Sequence, residues 1–236
     1  MVQSLGAIQQ DIPFLNDYNW VYGLVMAFLV GIVIIGGIRS IGAVAGRIVP
    51  FMCGAYVLTA LFILGKKFFL IDDAIISIFQ GAFNPDAVYG GFIGVLVIGI
   101  KRAVFSNEAG TGSAAIAHSA AKTDEPVSEG TVALLEPFID TVIVCTMTAL
   151  VIIITGAADT PDGATFVTKD NGAALTSLAF TKGGYPWFKW ILNVAVVLFC
   201  YSTLISWSYY GERCCTHLFG DRSSIVFKLV FIGFVF

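Results

Sequence analysis

Residues 105–112 read Phe105-Ser106-Asn107-Glu108-Ala109-Gly110-Thr111-Gly112, a carboxylate, a carboxamide, two hydroxyls and two glycines inside an otherwise oily stretch. Val88 to Ile100 before it and Ala114 to Ala117 after it are almost wholly apolar. Polar groups left unsatisfied in hydrocarbon cost several kcal/mol each, so the stretch needs a reason. Gly110 and Gly112 release the backbone from helical geometry. Carbonyls at the end of the preceding half-helix then lack partners and can hold a cation or an ammonium group. Amides opening the following half favour an anionic group. Ser106, Asn107 and Thr111 add side-chain oxygens that suit a hard cation such as sodium. Close packing of small residues would account for Gly110 to Ala115 but not for Asn107-Glu108.

These residues have to be held by membrane-spanning helices. Of 236 residues, 57% are hydrophobic and 12% charged, with mean hydropathy +0.86, whereas soluble domains carry about 25% charged residues. With about 20 apolar residues per span, the length allows roughly six or seven spans. A net charge of −3 argues against a nucleic-acid partner. Met1 to Asn19 lacks the basic region and apolar core of a signal peptide. Cys53, Cys145 and Cys200 fall in apolar spans, and Cys214-Cys215 cannot alone supply a zinc ligand set, so the cysteines read as small buried hydrophobes. The chain ends inside a hydrophobic run beginning at Ile225, about 12 residues and too short to cross a bilayer. This predicts a fragment of a longer product.

Five spans and a shortened sixth are predicted, forming one transmembrane domain over residues 1–236. The first covers Trp20 to Ile38, ended by Gly36-Gly37 and Arg39. The second covers Ile48 to Phe69, with Pro50 in its first turn, where proline is tolerated. Asp72 to Gln80 reads as a short amphipathic helix capped by Asp72 or Asp73, and Asn84-Pro85-Asp86 as a turn. The third, Ala87 to Ala121, is the discontinuous one. The fourth covers Gly130 to Thr155, preceded by Thr123 or Asp124 as a cap. A polar loop, Asp159 to Asn171, leads to a helical patch at Ala173 to Phe180. The fifth covers Trp187 to Tyr210. Trp20, Tyr22, Tyr185, Trp187 and Trp190 sit near span ends, as interfacial aromatics should. Basic residues divide five against five between alternate loops, so charge gives no orientation; the arginine-rich side is taken as cytoplasmic.

Lys101, Arg102, Glu108, Glu136 and Asp140 fall in or near spans, where ionisable residues mark function or pair with one another. Arg102 is expected to form a structural ion pair with Glu108 or Asp140. For Glu108, structural and ligand-facing roles stand level. Thr203 and Trp207 share a helix face at i and i+4, while hydroxyls such as those of Ser202 and Thr203 commonly bond back to their own helix. His118 and His217 read as ordinary polar residues. No nucleophile–base pair, phosphate loop or metal motif is visible, so no enzyme and no bound cofactor are expected.

Lys101 to Ala114 closely resembles the signature of the alanine or glycine:cation symporter family, the sodium:alanine symporters. So does Phe138 to Ala149. Val49-Pro50-Phe51-Met52, Gly81 to Pro85 and Tyr201 to Glu212 look like further blocks in the family's order. The resemblance implies a leucine-transporter-type fold of two inverted five-helix repeats, with this chain spanning helices four to nine and the last one cut short. The third segment would be the family's sixth helix and the fifth segment its eighth. Asp159 to Phe180 would be the extracellular loop that helps close the outer gate. The resemblance further implies that Phe105, Ser106, Asn107, Glu108 and Gly110, with Thr203 and Trp207, hold a small neutral amino acid. Trp207 would limit side-chain size, and Ser202 and Thr203 would lie near sodium. Implied partners are sodium, the small amino acid, the lipid bilayer and N-terminal helices missing from this chain, in a multi-pass plasma-membrane protein. The function implied is sodium-coupled symport by alternating access. Proton coupling, another small solute, or a non-transporting fragment are the rivals.

Overall fold

In the computed structural model, the residues described are 5, 17–83, 92–108 and 111–236, without the side chains of 92, 93 and 105. All regular structure among them is helical. α1 spans Asn19–Ile35 and α2 Gly37–Lys66. A 3₁₀ turn at Phe68–Leu70 leads into α3, Ile71–Ala82. α4 is Phe92–Asn107 and α5 is Ser113–His118. α6, Pro126–Pro137, continues through a π-helical segment, Phe138–Cys145, into α7, Thr146–Thr155. α8 is Pro161–Thr168, α9 Gly172–Gly183, α10 Phe188–Phe219 and α11 Ser223–Val235.

Three helical rods are long and apolar enough to cross a membrane: 37–66, 126–155 and 188–219. Their outward faces carry large apolar side chains such as Phe51, Leu58, Leu134 and Val194. A water-facing protein rarely exposes such a surface, whereas lipid tails accept it. Aromatics gather where predicted. Tyr185 stacks on Trp187 at 6.4 Å, and the Lys66 ammonium sits 5.4 Å from the Tyr185 ring, so the end of α2 meets the start of α10.

α10 is the central strut, packing on α2, α11, α9, α1 and α5. Two cores form along it. One joins Tyr56, Ile63, Val151, Phe180 and Leu192; the other joins Val30, Ile34, Ile205, Tyr209 and Val235. Where dispersion replaces the hydrophobic effect, small residues at crossings let backbones approach. Gly183 is such a point, since a β-carbon there would lie 2.6 Å from Ile63 Cγ2 and 2.8 Å from Thr155 Cγ2.

Several expected boundaries are corrected. α1 stops at Ile35, but Gly37 turns the chain in the left-handed region (φ 67°) and a helix resumes at once. Arg39 therefore lies inside α2, and Pro50 sits in its interior rather than its first turn. Residues 38–47 are only weakly apolar, which hides their helicity from a hydropathy reading. α3 begins before Asp72 and Asp73, which lie in its first turn, not at its cap. α6 is preceded by Glu125, whose amide donates to Thr123 Oγ1 at 3.2 Å. The predicted loop 159–171 contains α8, with Pro161 opening it and Thr160 Oγ1 accepting from the Gly163 amide at 3.1 Å. α10 runs nine residues past Tyr210, to Phe219. The turn at 84–86 lies outside the described residues.

Gly183→Ala should destabilise the fold by about 1–3 kcal/mol through overpacking. The readout is the thermal midpoint in detergent; an unchanged midpoint would show that the Ile63 and Thr155 methyls simply yield.

Candidate functional site

α4 ends at Asn107, and the chain does not resume helical geometry until Ser113. Glu108 takes φ 53° and Gly112 φ 83°. A left-handed backbone costs a non-glycine residue about 1–2 kcal/mol, so the surroundings must hold Glu108 there. The turn is closed locally. Thr111 donates to the Glu108 carbonyl twice, from its amide at 3.2 Å and from Oγ1 at 2.8 Å. Thr111 Oγ1 and Ser113 Oγ lie 2.8 Å apart. Ala109 and Gly110 lie outside the described residues.

The helical side of the break is braced by the π segment. Ser106 Oγ donates to the Asp140 carboxylate. Asn107 Nδ2 donates to Thr141 Oγ1 at 2.9 Å, and Thr141 Oγ1 in turn reaches Asn107 Oδ1 at 3.2 Å. A π turn adds one residue per turn and rotates side chains out of the regular register. Here the rotated stretch presents Asp140 and Thr141 side by side to successive residues of α4. The predicted pairing of Arg102 with Glu108 or Asp140 is therefore corrected. Asp140 serves Ser106, and Arg102 Nη2 pairs with Asp170 Oδ1 at 2.5 Å. Both partners of that pair are largely exposed, at 66% and 77%, so its contribution to stability is small.

A cavity of about 790 Å³ opens on the break. Ser106, Glu108 and Thr111 line it with Lys101 and Arg102 from α4, Asp170 from the α8–α9 junction, Cys145 from the π segment and Trp207 from α10. Glu108 Oε2 is buried and without a hydrogen-bond partner among the described residues. Asp170, like Glu108, takes a left-handed backbone (φ 52°). The two strained carboxylate residues thus line one cavity, and strain of this kind concentrates where a ligand is held. Since Arg102 neutralises Asp170, Lys101 and Glu108 remain as lining charges of opposite sign.

The other predicted positions are less closely gathered. Trp207 lines the cavity, and its ring lies 5.8 Å from that of Tyr210. Thr203 is exposed one turn earlier on α10, outside the lining residues. Ser202 is buried and donates to the Phe199 carbonyl at 3.0 Å, which leaves its oxygen lone pairs able to accept. The Phe105 side chain and Gly110 lie outside the described residues. No cluster of three or more metal-binding side chains occurs among the described residues.

The profile of the sodium:alanine symporter family matches residues 1–236. This chain belongs to the sodium:alanine symporter family. It is 44% identical over 211 residues to the sodium/alanine symporter AgcS of Methanococcus maripaludis, covering 89% of this chain and 46% of that protein. It is 40% identical over 221 residues to an uncharacterized transporter of Haemophilus influenzae, covering 91% and 47%. A sodium/proton-dependent alanine carrier protein of Bacillus sp. is 31% identical over 229 residues, covering 92% and 51%. The chain spans about half the length of the curated relatives it matches. Its membrane placement follows from family and apolar helices together.

Sequence reasoning missed Thr141, Asp170 and Cys145 as neighbours of the break, and it left His118 as an ordinary polar residue. The structure sets His118 Nδ1 2.7 Å from Glu129 Oε1 and His118 Nε2 3.7 Å from Glu136 Oε2. The seven-residue spacing of Glu129 and Glu136, two helical turns on one face, was the available signal.

A double-mutant cycle of Asn107→Ala with Thr141→Val should give a coupling of about 0.6 kcal/mol, the usual size for hydrogen bonds between membrane helices. Unfolding in mixed micelles measures it; additive effects would mean that the amide is held by something else.

Proposed function

We propose that this chain forms part of a sodium-coupled symporter for alanine, glycine or another small neutral amino acid, a multi-pass plasma-membrane protein working by alternating access. In this reading the chain is a single transmembrane unit of a leucine-transporter-type fold. α4 and α5 are the two halves of its sixth helix, α10 is its eighth, and α8 with α9 forms the outer loop. Phe105, Ser106, Asn107, Glu108 and Gly110 hold the amino acid from one side, and Thr203 and Trp207 from the other. Ser202 and Thr203 contribute oxygens to sodium. As in its relatives, the work is transport rather than catalysis.

The observation that carries the reading is the charge pattern of the cavity at the break. A neutral amino acid is a zwitterion with an ammonium and a carboxylate. The cavity offers an unpartnered Glu108 oxygen and the Lys101 ammonium, and the Trp207 indole limits the remaining space. Both ligands act by favouring a closed arrangement over an open one. Their coupling is reciprocal, so sodium should tighten the amino acid and the amino acid should tighten sodium.

Proton coupling is the second reading, favoured by relatives from Bacillus whose names couple alanine to sodium or protons. Labelled alanine uptake with choline replacing sodium separates the two: loss of uptake supports sodium, and retained uptake under a pH gradient supports protons.

In the carrier containing this chain, Asn107→Ala should abolish sodium-dependent alanine uptake; undiminished uptake at normal expression would overturn the assignment of the pocket. Cys145 supplies a second check. A charged methanethiosulfonate should modify it and block uptake, and saturating alanine should slow the modification severalfold. Equal rates with and without alanine would place the substrate elsewhere.

A further inference from the structure

α5, the short helix after the break, is tied to α6 by one side chain. His118 is the only ionisable residue on α5, and α6 presents Glu129 and Glu136 to its two ring nitrogens, at 2.7 Å and 3.7 Å. His118 and Glu129 are about three-quarters buried, and Glu136 is half exposed. α10 also packs on α5 and brings Tyr209 and Arg213 to it. Arg213 Nε donates to the Tyr209 hydroxyl at 2.9 Å. Tyr210 lies within electrostatic reach of both Glu136 and Glu108. Two carboxylates therefore converge on one imidazole, and the nearest cation on α10 is occupied with a tyrosine.

A neutral imidazole has one N–H. It can donate to one carboxylate, but it then turns a lone pair toward the other. An imidazolium donates from both nitrogens and satisfies both acids at once. Histidine is the side chain whose charge ordinarily changes between about pH 5 and 8. We infer that His118, Glu129 and Glu136 form a proton-binding site that clamps the half-helix after the break onto α6. With the proton bound, α5 is held and the C-terminal edge of the break is fixed. With the proton released, the Glu136 contact becomes repulsive and α5 is freed. The clamped state belongs to the imidazolium form and is weakened when that proton leaves. The inference rests on the placement of these helices in a membrane, not on transport of any particular solute.

The test uses the whole chain in lipid nanodiscs. His217 is the only other histidine, so a His217→Gln background leaves His118 as the sole imidazole for nitrogen-15 NMR. The spectrum should show a doubly protonated ring at low pH that loses one proton on raising pH. Amide protection factors at Ser119, Ala120 and Ala121, whose amides donate to carbonyls of α5, should fall about tenfold over the same interval, about 1.4 kcal/mol. In His118→Gln, protection should stay at the low level at every pH. In His118→Arg, with a permanent charge, it should stay high, and this separates loss of the clamp from misfolding. A ring that stays neutral across the range, or protection independent of pH in the parent, overturns the proton site. Uptake assays in the carrier report separately: absent sodium-dependent uptake with an intact pH response counts against the symporter reading alone.

Discussion

A backbone that leaves helical geometry must find partners for the groups it releases, and the structure at Glu108 and at residues 111–113 is organised by that demand. A buried backbone group left unpaired costs free energy comparable to a lost hydrogen bond. Thr111 meets the Glu108 carbonyl from two donors, closing the turn without help from a distant element. The side chains just before the turn then need holding from outside. The π segment provides this by offering Asp140 to Ser106 and Thr141 to Asn107. The two irregularities are matched: the chain leaves the helix at the end of α4 where it faces the widened turn between α6 and α7.

The matching has a consequence for charge. Because Ser106 engages Asp140, Arg102 is left for Asp170, across 68 residues of sequence. That bond ties α4 to the junction of α8 and α9, above the same cavity that Glu108 and Trp207 line. A weak, exposed pair contributes little to stability and opens easily, whereas a strong buried pair would resist opening. The loop and the break are thereby coupled through a bond that can be released at little cost.

How much of this could be read from the residues depends on range. The break was legible because glycine and polar side chains interrupt an apolar run within eight residues. The shared face of Thr203 and Trp207 followed from helical spacing. α8 was legible in principle from Thr160-Pro161, a cap followed by a first-turn proline, but its polarity made it look like a loop. The extra turns of α2 and α10 were hidden for a related reason. Arg39, Arg47, Glu212 and Arg213 lower hydropathy without disfavouring a helix, so apolar length underestimates helical length. The partners Thr141 and Asp170 could not be read at all. Each is chosen by the three-dimensional approach of helices, and the π register that turns Asp140 and Thr141 toward α4 has no sequence periodicity of its own.

The two halves of the broken helix are held by different kinds of bond, and this bears on how such a site can move. On the α4 side the contacts to Asp140 and Thr141 include a neutral amide–hydroxyl pair that no change of pH alters. On the α5 side the contact runs through an imidazole between two carboxylates, whose strength depends on a proton. Glu108 sits between them with a strained backbone and a buried oxygen that has no partner among the described residues. A cation or an ammonium group arriving at that oxygen would offset part of the strain and stabilise the arrangement in which it is held. The fixed half then serves as the reference against which the other half shifts, so the break can respond to a ligand without the surrounding rods having to unfold.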